Sequence, residues 1–358
     1  MSDNGSNHSC QRCEVVPQAP QGPGIIHLQF PLSHSRGKVI AALKHSGANF
    51  SEEKGALSIA VTQTELMPAL QPLAEALSAT ERADVRVLFQ REGQLLQLQD
   101  YFAVLPLDEF MAKAQSGWLV AMLSEDRLSS VFQPIIHCQS QEIFAYECLM
   151  RGQVEGKTVF PGQIIEVAKA AGLLFQMDLA ARRAAITGAA QFGLQSKIFI
   201  NFTPTAIYDP VNCLKSTVET VDAVGLRRDQ VVFEVIESEQ VSRVADLNKI
   251  LDYYRQNGFQ VALDDVGAGY SSLNLLARLR PDFIKLDRDL ITDIHQEPVK
   301  ATIAAKLLET ARELGMKTVA EGIEQKEEYQ WLCQHGADYA QGYLFARPAS
   351  PPPIPIRQ

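Results

Sequence analysis

The chain has 358 residues, of which 46% are hydrophobic. This is enough apolar sequence for one large core or two ordinary ones, which excludes a fibrous or disordered protein. The formal net charge is -9, so the broad basic surface that grips polymeric nucleic acid is excluded as well. A small anionic ligand is not excluded, because a local site can oppose the overall sign of charge.

We expect a cytosolic protein without a membrane span. No apolar run approaches the roughly 18 residues that cross a bilayer, and the first residues lack the basic and apolar regions of a secretory signal. The cysteines are sparse, which favours a reduced compartment over a disulfide scaffold. They are Cys10, Cys13, Cys138, Cys148, Cys213 and Cys333.

Cys10 and Cys13 form a C-x-x-C pair near the start of the chain. His8 lies close by in sequence, but a four-ligand zinc site needs a further partner from elsewhere. We interpret the pair as an inert tail motif, with metal binding or redox use as the alternative.

The N-terminal part alternates short strands and helices. Residues 1–24 are rich in Ser, Asn, Gln, Pro and Gly and predict a flexible tail, whereas residues 25–116 predict a small α+β domain. Its strands are predicted at Ile25–Phe30 and Ala56–Val61, and its helices at Lys38–His45 and Leu66–Leu77. Val85–Phe89 and Leu95–Leu98 flank Arg91-Glu-Gly93 and predict a hairpin. We find no catalytic constellation here and expect a regulatory or interaction role.

The second part, residues 118–348, has the length and pattern of a (β/α)₈ barrel, which typically takes about 250 residues. Short apolar strands recur, each followed by a helical stretch, and this alternation indicates a parallel sheet. These strands are Ile198–Ile200, Val231–Phe233, Val261–Leu263, Phe283–Ile284 and Thr318–Ala320. The proline-rich residues 349–358 predict an extended arm.

Polar side chains follow these apolar stretches. They are Glu147, Asn201, Glu234, Asp264, Asp265, Lys285 and Glu321, with Arg151, Glu237 and Glu324 about one turn further on. Because barrel strands open onto one face at their carboxyl ends, these side chains are expected to converge on one bowl. So many carboxylates must share protons, pair with Lys285 and Arg151, or bind metal.

The chemistry of this set favours metal. Oxygen ligands without histidine suit Mg²⁺ or Mn²⁺. Adjacent carboxylates such as Asp264 and Asp265 can hold two ions about 3.5–4 Å apart, the arrangement used in phosphodiester hydrolysis.

Taken singly, each residue has an ordinary alternative. An isolated Asp or Glu after a strand is most often a helix N-cap or a solvated turn residue. Lys285 alone could be a surface lysine, and Arg151 alone a salt bridge at the barrel rim. Gly267-Ala-Gly269 is half of a dinucleotide-binding fingerprint, but the third glycine is absent. We interpret this segment as a flexible active-site loop.

In their order along the chain, these motifs resemble the EAL-domain family, bacterial phosphodiesterases that act on cyclic di-GMP. The resemblance covers about residues 118–348. Its motifs are FQPI at 132–135, ECL at 147–149 with Arg151, Asn201, EVIE at 234–237, LDDVGAGYSSL at 263–273, FIKLD at 283–287, VAEGIE at 319–324 and QGY at 341–343.

The resemblance implies a barrel with one antiparallel strand, two Mg²⁺ or Mn²⁺ ions, a homodimer, and hydrolysis of cyclic di-GMP to linear pGpG. One metal ion would be held by Glu147, Asn201, Glu234 and Asp264. The second would be held by Asp264 and Asp265, with Glu321 reaching it through water.

The remaining roles are also those that the resemblance implies. Lys285 would help activate the attacking water, and Glu237 would tether the glycine-bearing loop. Contacts to the substrate or support at its rim would come from Gln133, Leu149, Arg151, Glu324 and Gln341.

The chain departs from the common family pattern at three places, and none of them is a metal ligand. Cys148 stands where alanine is common, Val266 and Ala268 replace a phenylalanine and a threonine of the loop, and Gly152 follows Arg151 where an aromatic is frequent. The leading hypothesis is an active phosphodiesterase regulated by its N-terminal part. The alternatives are a weak or inactive cyclic di-GMP receptor that signals through a protein partner, and an unrelated barrel metalloenzyme.

Overall fold

Two units make up the computed structural model, which describes residues 15–53, 55–62, 65–207, 209–236, 244–267 and 272–358. The N-terminal unit comprises Val16–Glu125 and Gly162–Leu174. The barrel unit comprises Asp126–Pro161 and Phe175–Gln358. Cys10 and Cys13 lie outside the described residues.

The N-terminal unit contains a five-stranded antiparallel sheet in the order β2-β3-β1-β4-β5. The strands are β1 (Gly24–Gln29), β2 (Phe50–Glu53), β3 (Ala56–Val61), β4 (Arg86–Arg91) and β5 (Leu105–Pro106). The helices are α1 (Ser33–Ser46), α2 (Leu66–Ala76), α3 (Ala79–Asp84), α4 (Leu98–Tyr101), α5 (Leu107–Gln115) and α6 (Gly117–Ser124).

Alternating apolar residues decide which face of this sheet is covered. Ile26 and Leu28 of β1 point to one face and are fully buried with Val39 and Leu43 of α1 in a single apolar cluster. Burying each of these side chains contributes about 1.5–3 kcal/mol. Helix α1 ends at Gly47, whose φ of 71° lies in the left-handed region that glycine adopts readily. The α+β class predicted for this part is confirmed.

The predicted hairpin is wrong. β4 forms, but Leu95–Leu98 is not a strand, and the partner of β4 on that side is β5. Leu95 and Leu98 are 85% and 75% exposed, so this segment has no buried face that would hold it in the sheet.

The barrel unit closes eight strands into a ring, with a ninth strand, β8, as a hairpin on β7. The strands are β6 (Leu128–His137), β7 (Ile143–Val154), β8 (Lys157–Val159), β9 (Lys197–Asn201), β10 (Val231–Ile236), β11 (Gln260–Val266), β12 (Phe283–Leu286), β13 (Lys317–Ala320) and β14 (Tyr339–Ala340). Strand β6 is antiparallel to both of its neighbours, β7 and β14, and the other pairs around the ring are parallel. The predicted barrel with one antiparallel strand is therefore confirmed.

Helices connect the parallel strands. They are α7 (Pro161–Ala170), which belongs to the N-terminal unit from Gly162 onward, α8 (Leu174–Gln191), α9 (Pro210–Ala223), α10 (Val244–Gln256), α11 (Ser272–Leu279), α12 (Arg288–Ile291), α13 (Pro298–Glu313) and α14 (Lys326–Gln334), with 3-10 turns at Pro204–Ala206 and Arg228–Gln230. Among the described residues, no helix is both long and apolar enough to cross a bilayer.

One apolar residue from each of the eight ring strands packs into a single layer inside the barrel, which we call the apolar floor. Its members are Ile135, Ala145, Phe199, Val232, Ala262, Phe283, Val319 and Tyr339. Each is at most 7% exposed. The interior is therefore filled at this level, and the barrel is a packed core and not a channel.

Candidate active site

The position of the site follows from the two-residue period of the strands. Side chains two residues apart point to the same side of a strand. Two residues beyond each member of the apolar floor, toward the carboxyl ends of the parallel strands, the side chain is polar. We call these side chains the polar ring: Gln133, Glu147, Asn201, Glu234, Asp264, Lys285, Glu321 and Gln341. In β6 the step runs backwards along the chain, from Ile135 to Gln133, because this strand is antiparallel.

Lys285 is in contact with four carboxylates of the polar ring. Its Nζ lies 2.6 Å from Glu321 Oε1 and 2.7 Å from Glu234 Oε1. Asp264 Oδ1 and Glu147 Oε1 lie 3.2 Å and 3.6 Å away. The Lys285 side chain is 1% exposed, so it is not the surface lysine that the sequence left open.

Amide side chains hold Glu147 in place. Gln341 Nε2 donates to Glu147 Oε2 at 2.5 Å and to Gln133 Oε1 at 3.2 Å. Asn201 Nδ2 donates to Glu147 Oε1 at 3.3 Å. Gln133 in turn donates to the carbonyl of Ala346. Both oxygens of Glu147 are therefore positioned by amide side chains, one at the end of β9 and one directly after β14.

A bulge explains why two successive aspartates face the same site. The register of β11 against β12 shifts between Leu263 and Val266, and Asp265 has a φ of 58°, in the left-handed region. A regular strand would turn successive side chains to opposite faces, whereas a bulge re-aims one of them. Oxygens of Asp264, Asp265 and Glu321 consequently lie within 4.8 Å of one another.

Burial and crowding disturb the acid–base properties of these groups. Burial, reinforced by the neighbouring carboxylates, raises the pKa of Glu234 and of Glu321 well above the usual range. Burial and the Asp264 charge raise the pKa of Asp265 to about 6. Burial alone would lower the pKa of Lys285, but the surrounding carboxylates raise it well above its ordinary value. Lys285 therefore stays positively charged, and the carboxyl groups around it outnumber it.

A cavity of about 220 Å³ opens at the polar ring. Beyond ring members, its lining includes Arg288, Glu324 and Tyr343. Arg288 Nη2 lies 2.8 Å from Glu324 Oε1, and both side chains are exposed to solvent. Glu324 was expected at the rim, whereas Arg288 and Tyr343 were missed. The signal for Arg288 is its position directly after FIKLD at 283–287.

Two glycines bring the rim loops together. A Cβ on Gly342 would lie 2.0 Å from the carbonyl oxygen of Ile323, and a Cβ on Gly322 would lie 2.3 Å from Arg288 Cγ. Hydrogen bonds run from Ile323 N to Gln341 O and from Leu344 N to Ile323 O. The loops after β13 and β14 therefore pack backbone against backbone.

Leu149 and Arg151 point to the same side of β7 as Glu147, since they follow it by two and four residues. Neither residue lines the cavity. The Arg151 guanidinium donates to the carbonyl of Met150 at 2.7 Å and lies 5.3 Å from the centre of the Phe160 ring. The structure thus places Arg151 beyond the mouth of the cavity, against an aromatic ring.

The structure brings together most, but not all, of the predicted site residues. All eight members of the polar ring were predicted as site residues, and Asp265 joins them through the bulge. Glu237 lies outside the described residues, as do residues 268–271 of the glycine-bearing loop. We predicted that the polar residues follow the ends of the strands. In the structure the strands are longer, and Glu147, Glu234, Asp264 and Lys285 lie within them.

The donor set fits divalent cations. Glu234 Oε2 is buried and has no hydrogen-bond partner among the residues that the structure describes, although buried polar atoms are almost always paired. Glu147, Glu234, Asp264, Asp265 and Glu321 are five carboxylates around one ammonium group. The oxygens of this set are hard ligands of the kind that Mg²⁺ and Mn²⁺ prefer.

Comparison with curated proteins finds relatives that are longer than this chain. One is named cyclic di-GMP phosphodiesterase PdeR, from Escherichia coli, and is 29% identical over 358 residues, covering 95% of this chain and 52% of the relative. Another, from the same organism, is named blue light- and temperature-regulated antirepressor BluF and is 28% identical over 251 residues, covering 66% of this chain and 61% of the relative. The chain thus spans about half to three fifths of the length of these relatives.

Solved structures with the same fold include an EAL protein from Vibrio cholerae O395 in a form bound to c-di-GMP. It is 36% identical, covers 64% of this chain and 95% of its own, and has a TM-score of 0.59. BlrP1 from Klebsiella pneumoniae, solved as a manganese and cyclic di-GMP complex, is 24% identical and shows the fold alone, over 92% of this chain and 97% of its own with a TM-score of 0.58.

The family model described as EAL domain matches residues 116–348. This range contains every member of the polar ring and the whole of the closed barrel. The resemblance inferred from the motifs is thereby confirmed, and the chain belongs to the EAL domain family.

Proposed function

We propose that this protein is a metal-dependent phosphodiesterase that hydrolyses cyclic di-GMP to linear pGpG. The observation that carries the proposal is the polar ring, in which four carboxylates surround Lys285 and a fifth, Asp265, is turned toward them by a bulge. The names of the relatives, which mention cyclic di-GMP phosphodiesterase activity or bound c-di-GMP, support this substrate.

Two Mg²⁺ or Mn²⁺ ions would bind between the carboxylates. Glu147, Asn201, Glu234 and Asp264 would hold one ion, and Asp264 and Asp265 the other, with Glu321 nearby. Such ions lower the pKa of bound water and neutralise charge on a phosphate.

The residues of the chain itself have separate roles in this proposal. Lys285 holds a positive charge next to the carboxylates, where it orients a nucleophilic water and favours its deprotonated form. Gln341 and Asn201 fix both oxygens of Glu147, so that this ligand is preorganised. The solvent-exposed Arg288 at the cavity and Arg151 beyond it supply guanidinium groups, which match phosphate geometry.

We further propose that the protein acts in the cytoplasm as a homodimer and that the N-terminal unit regulates it, through a ligand or a protein partner. The free cysteines, which include the buried Cys138, Cys148 and Cys213, agree with a reducing compartment.

The test is an assay of the full-length protein. The purified chain is stripped with EDTA, incubated with cyclic di-GMP and either Mg²⁺ or Mn²⁺, and analysed for pGpG by chromatography. We expect pGpG with added metal and none in EDTA. Tight binding of cyclic di-GMP without any product, across both metals and a range of pH, would overturn the enzymatic proposal.

A second candidate is a cyclic di-GMP receptor that signals through a protein partner. It is favoured by the name of one relative, an antirepressor. The complete set of carboxylates favours the enzyme, because a receptor that only binds has no need of the acid pair Asp264 and Asp265. The same assay separates the two candidates, since the receptor binds cyclic di-GMP and leaves it intact.

A further inference from the structure

Two cysteines meet at the end of the barrel opposite the polar ring. Cys138 follows directly after β6, and Cys333 lies on α14. Strand β6 is antiparallel, so its last residues lie beside the start of β14, and Cys138 N donates to the carbonyl of Asp338 there at 3.0 Å. This is the amino end of the parallel strands, whereas the polar ring lies toward their carboxyl ends.

The two residues are in direct contact. The Cys333 Sγ lies 3.3 Å from the carbonyl oxygen of Cys138, and Tyr329 Oη, one turn earlier on α14, donates to the same oxygen at 2.6 Å. Cys138 is 4% exposed, whereas Cys333 is half-buried and packs at the edge of the same apolar cluster. The helix therefore holds one accessible thiol against a buried partner.

The environment makes the two thiols unequal. A side-chain hydrogen bond between Cys138 and Cys333, with help from Tyr329, lowers the pKa of Cys333. The same hydrogen bond and burial raise the pKa of Cys138. The thiolate is the reactive form of cysteine, so Cys333 combines the lower pKa with the greater exposure.

We propose that Cys138 and Cys333 are a redox-active dithiol that hydroperoxides convert into an intramolecular disulfide. The Cys333 thiolate attacks a peroxide oxygen, the O–O bond breaks, and Cys333 becomes a sulfenic acid as hydroxide leaves. The Cys138 sulfur then attacks the sulfenic sulfur, the S–O bond breaks, and water leaves with the thiol proton. In sum, two thiols are oxidised, one hydrogen peroxide is reduced, and two water molecules form.

The bond would join the end of β6 to α14 across 195 positions of the chain. Closing so long a loop restricts the unfolded chain and stabilises the folded one. We therefore expect the melting temperature of the oxidised protein to rise by a few degrees, and to return to its original value after reduction.

The experiment maps the disulfide in the full-length protein. The reduced protein is freed of reductant, treated with a small molar excess of hydrogen peroxide, unfolded in denaturant and blocked with N-ethylmaleimide so that buried thiols also react, digested and analysed by mass spectrometry. We expect a peptide pair joined through Cys138 and Cys333 that dithiothreitol separates. A bond between Cys10 and Cys13 gives a different peptide and does not count in favour.

Variants sharpen the result. Cys333→Ser should abolish both the joined peptides and the rise in melting temperature, whereas the matched control Cys213→Ser should keep both. Cys138→Ser should leave a sulfenic acid on Cys333 that dimedone labels. The proposal is overturned if the peroxide-treated wild type carries N-ethylmaleimide on both Cys138 and Cys333, or if either one is joined only to another cysteine. The wild-type map decides this even if a variant fails to fold.

Discussion

Glu81 in the N-terminal unit and Glu234 in the barrel unit are both buried, but they differ in how many hydrogen-bond partners the protein gives them. Glu81 in the N-terminal unit is 8% exposed and is fully satisfied. Its oxygens accept hydrogen bonds from Ser35 Oγ at 2.9 Å, from Lys38 Nζ at 2.8 Å and from Ser78 N at 2.8 Å. The hydrogen bond from Lys38, with those from Ser78 and Ser35, lowers the pKa of Glu81 to about 2.

Glu234 in the barrel is 0% exposed and is not satisfied. It shares Lys285 with three other carboxylates, and its Oε2 has no partner among the described residues. Burial raises the pKa of Glu234 above its usual range, the reverse of the shift at Glu81. A buried carboxylate whose oxygens are all paired with groups of the protein, like Glu81, has a structural role. One with an oxygen that has no partner in the described part of the protein, like Glu234, indicates a site for a cation or another ligand.

The largest effect is expected when a carboxylate of the polar ring loses its charge. Asp264→Asn keeps the shape of the side chain but removes a ligand charge, so we expect at least about a 100-fold loss of cyclic di-GMP hydrolysis. Turnover with Mn²⁺ measures it. Asp222→Asn, on an exposed aspartate paired with Arg228 in the same unit, is the matched control and should stay within about twofold. Full activity of Asp264→Asn would refute the proposed site.

The second effect concerns Lys285, on which the carboxylates depend in the absence of metal. Lys285→Met should lower the free energy of unfolding by about 3–5 kcal/mol in EDTA, because it leaves buried carboxylates without their cation. Urea titration followed by circular dichroism measures this change. Lys317→Met removes an exposed lysine paired with Asp338 and should cost about 1 kcal/mol or less. Equal losses for the two variants would mean that Lys285 is not needed for charge balance.

The third prediction uses the opposite pKa shifts of the two regions. Asp265 has a folded pKa of about 6, above the ordinary value of 3.8 for an aspartate, so the folded state binds more protons than the unfolded state. In EDTA, the wild type should lose stability relative to Asp265→Asn as the pH rises from about 4 to about 6.

Glu81 gives the reverse sign. Its folded pKa of about 2 lies below the ordinary value of 4.5 for a glutamate, so its stabilisation is complete above pH 4.5 and is lost as the pH falls toward 2. The advantage of the wild type over Glu81→Gln should shrink in that range. Melting curves across pH test both trends, and parallel curves for a variant and the wild type would contradict the corresponding shift.

The smallest effect is expected at the capping box of α3. Ser78 accepts a hydrogen bond from Glu81 N while Glu81 accepts one from Ser78 N. Ser78→Ala should therefore cost about 1 kcal/mol of unfolding free energy without changing catalysis. Ser51→Ala, at an exposed strand position, should change stability by less than about 0.5 kcal/mol. A loss at Ser51 as large as that at Ser78 would argue against the cap.

The two regions also differ in how far sequence alone reaches. In the barrel, short apolar runs alternate with helical stretches and each run leads into a polar residue, so this pattern predicts both the fold and the candidate site. The antiparallel direction of β6 was known only from the family resemblance, because an apolar strand carries no mark of its direction. In the N-terminal unit, Leu95 and Leu98 suggested a strand, but the partner of β4 was decided by tertiary pairing with Leu105–Pro106.

Within the site, spacing alone fails where the backbone departs from regular geometry. A strict two-residue period would turn Asp265 away from Asp264, and only the bulge and the left-handed φ of Asp265 bring them together. Arg288 and Tyr343 were not predicted as site residues, because their place in the cavity depends on the fold of α12 and of the loop after β14.

The contact between these rim loops has a mechanical consequence. Gly342 leaves no room for a side chain between its backbone and that of Ile323, so the two loops are in tight backbone contact and are expected to move together. The loop after β14 carries Gln341, which donates a hydrogen bond to Glu147. The loop after β13 carries Glu321, which forms an ion pair with Lys285. A displacement of either loop would therefore disturb Glu147 and Lys285 together.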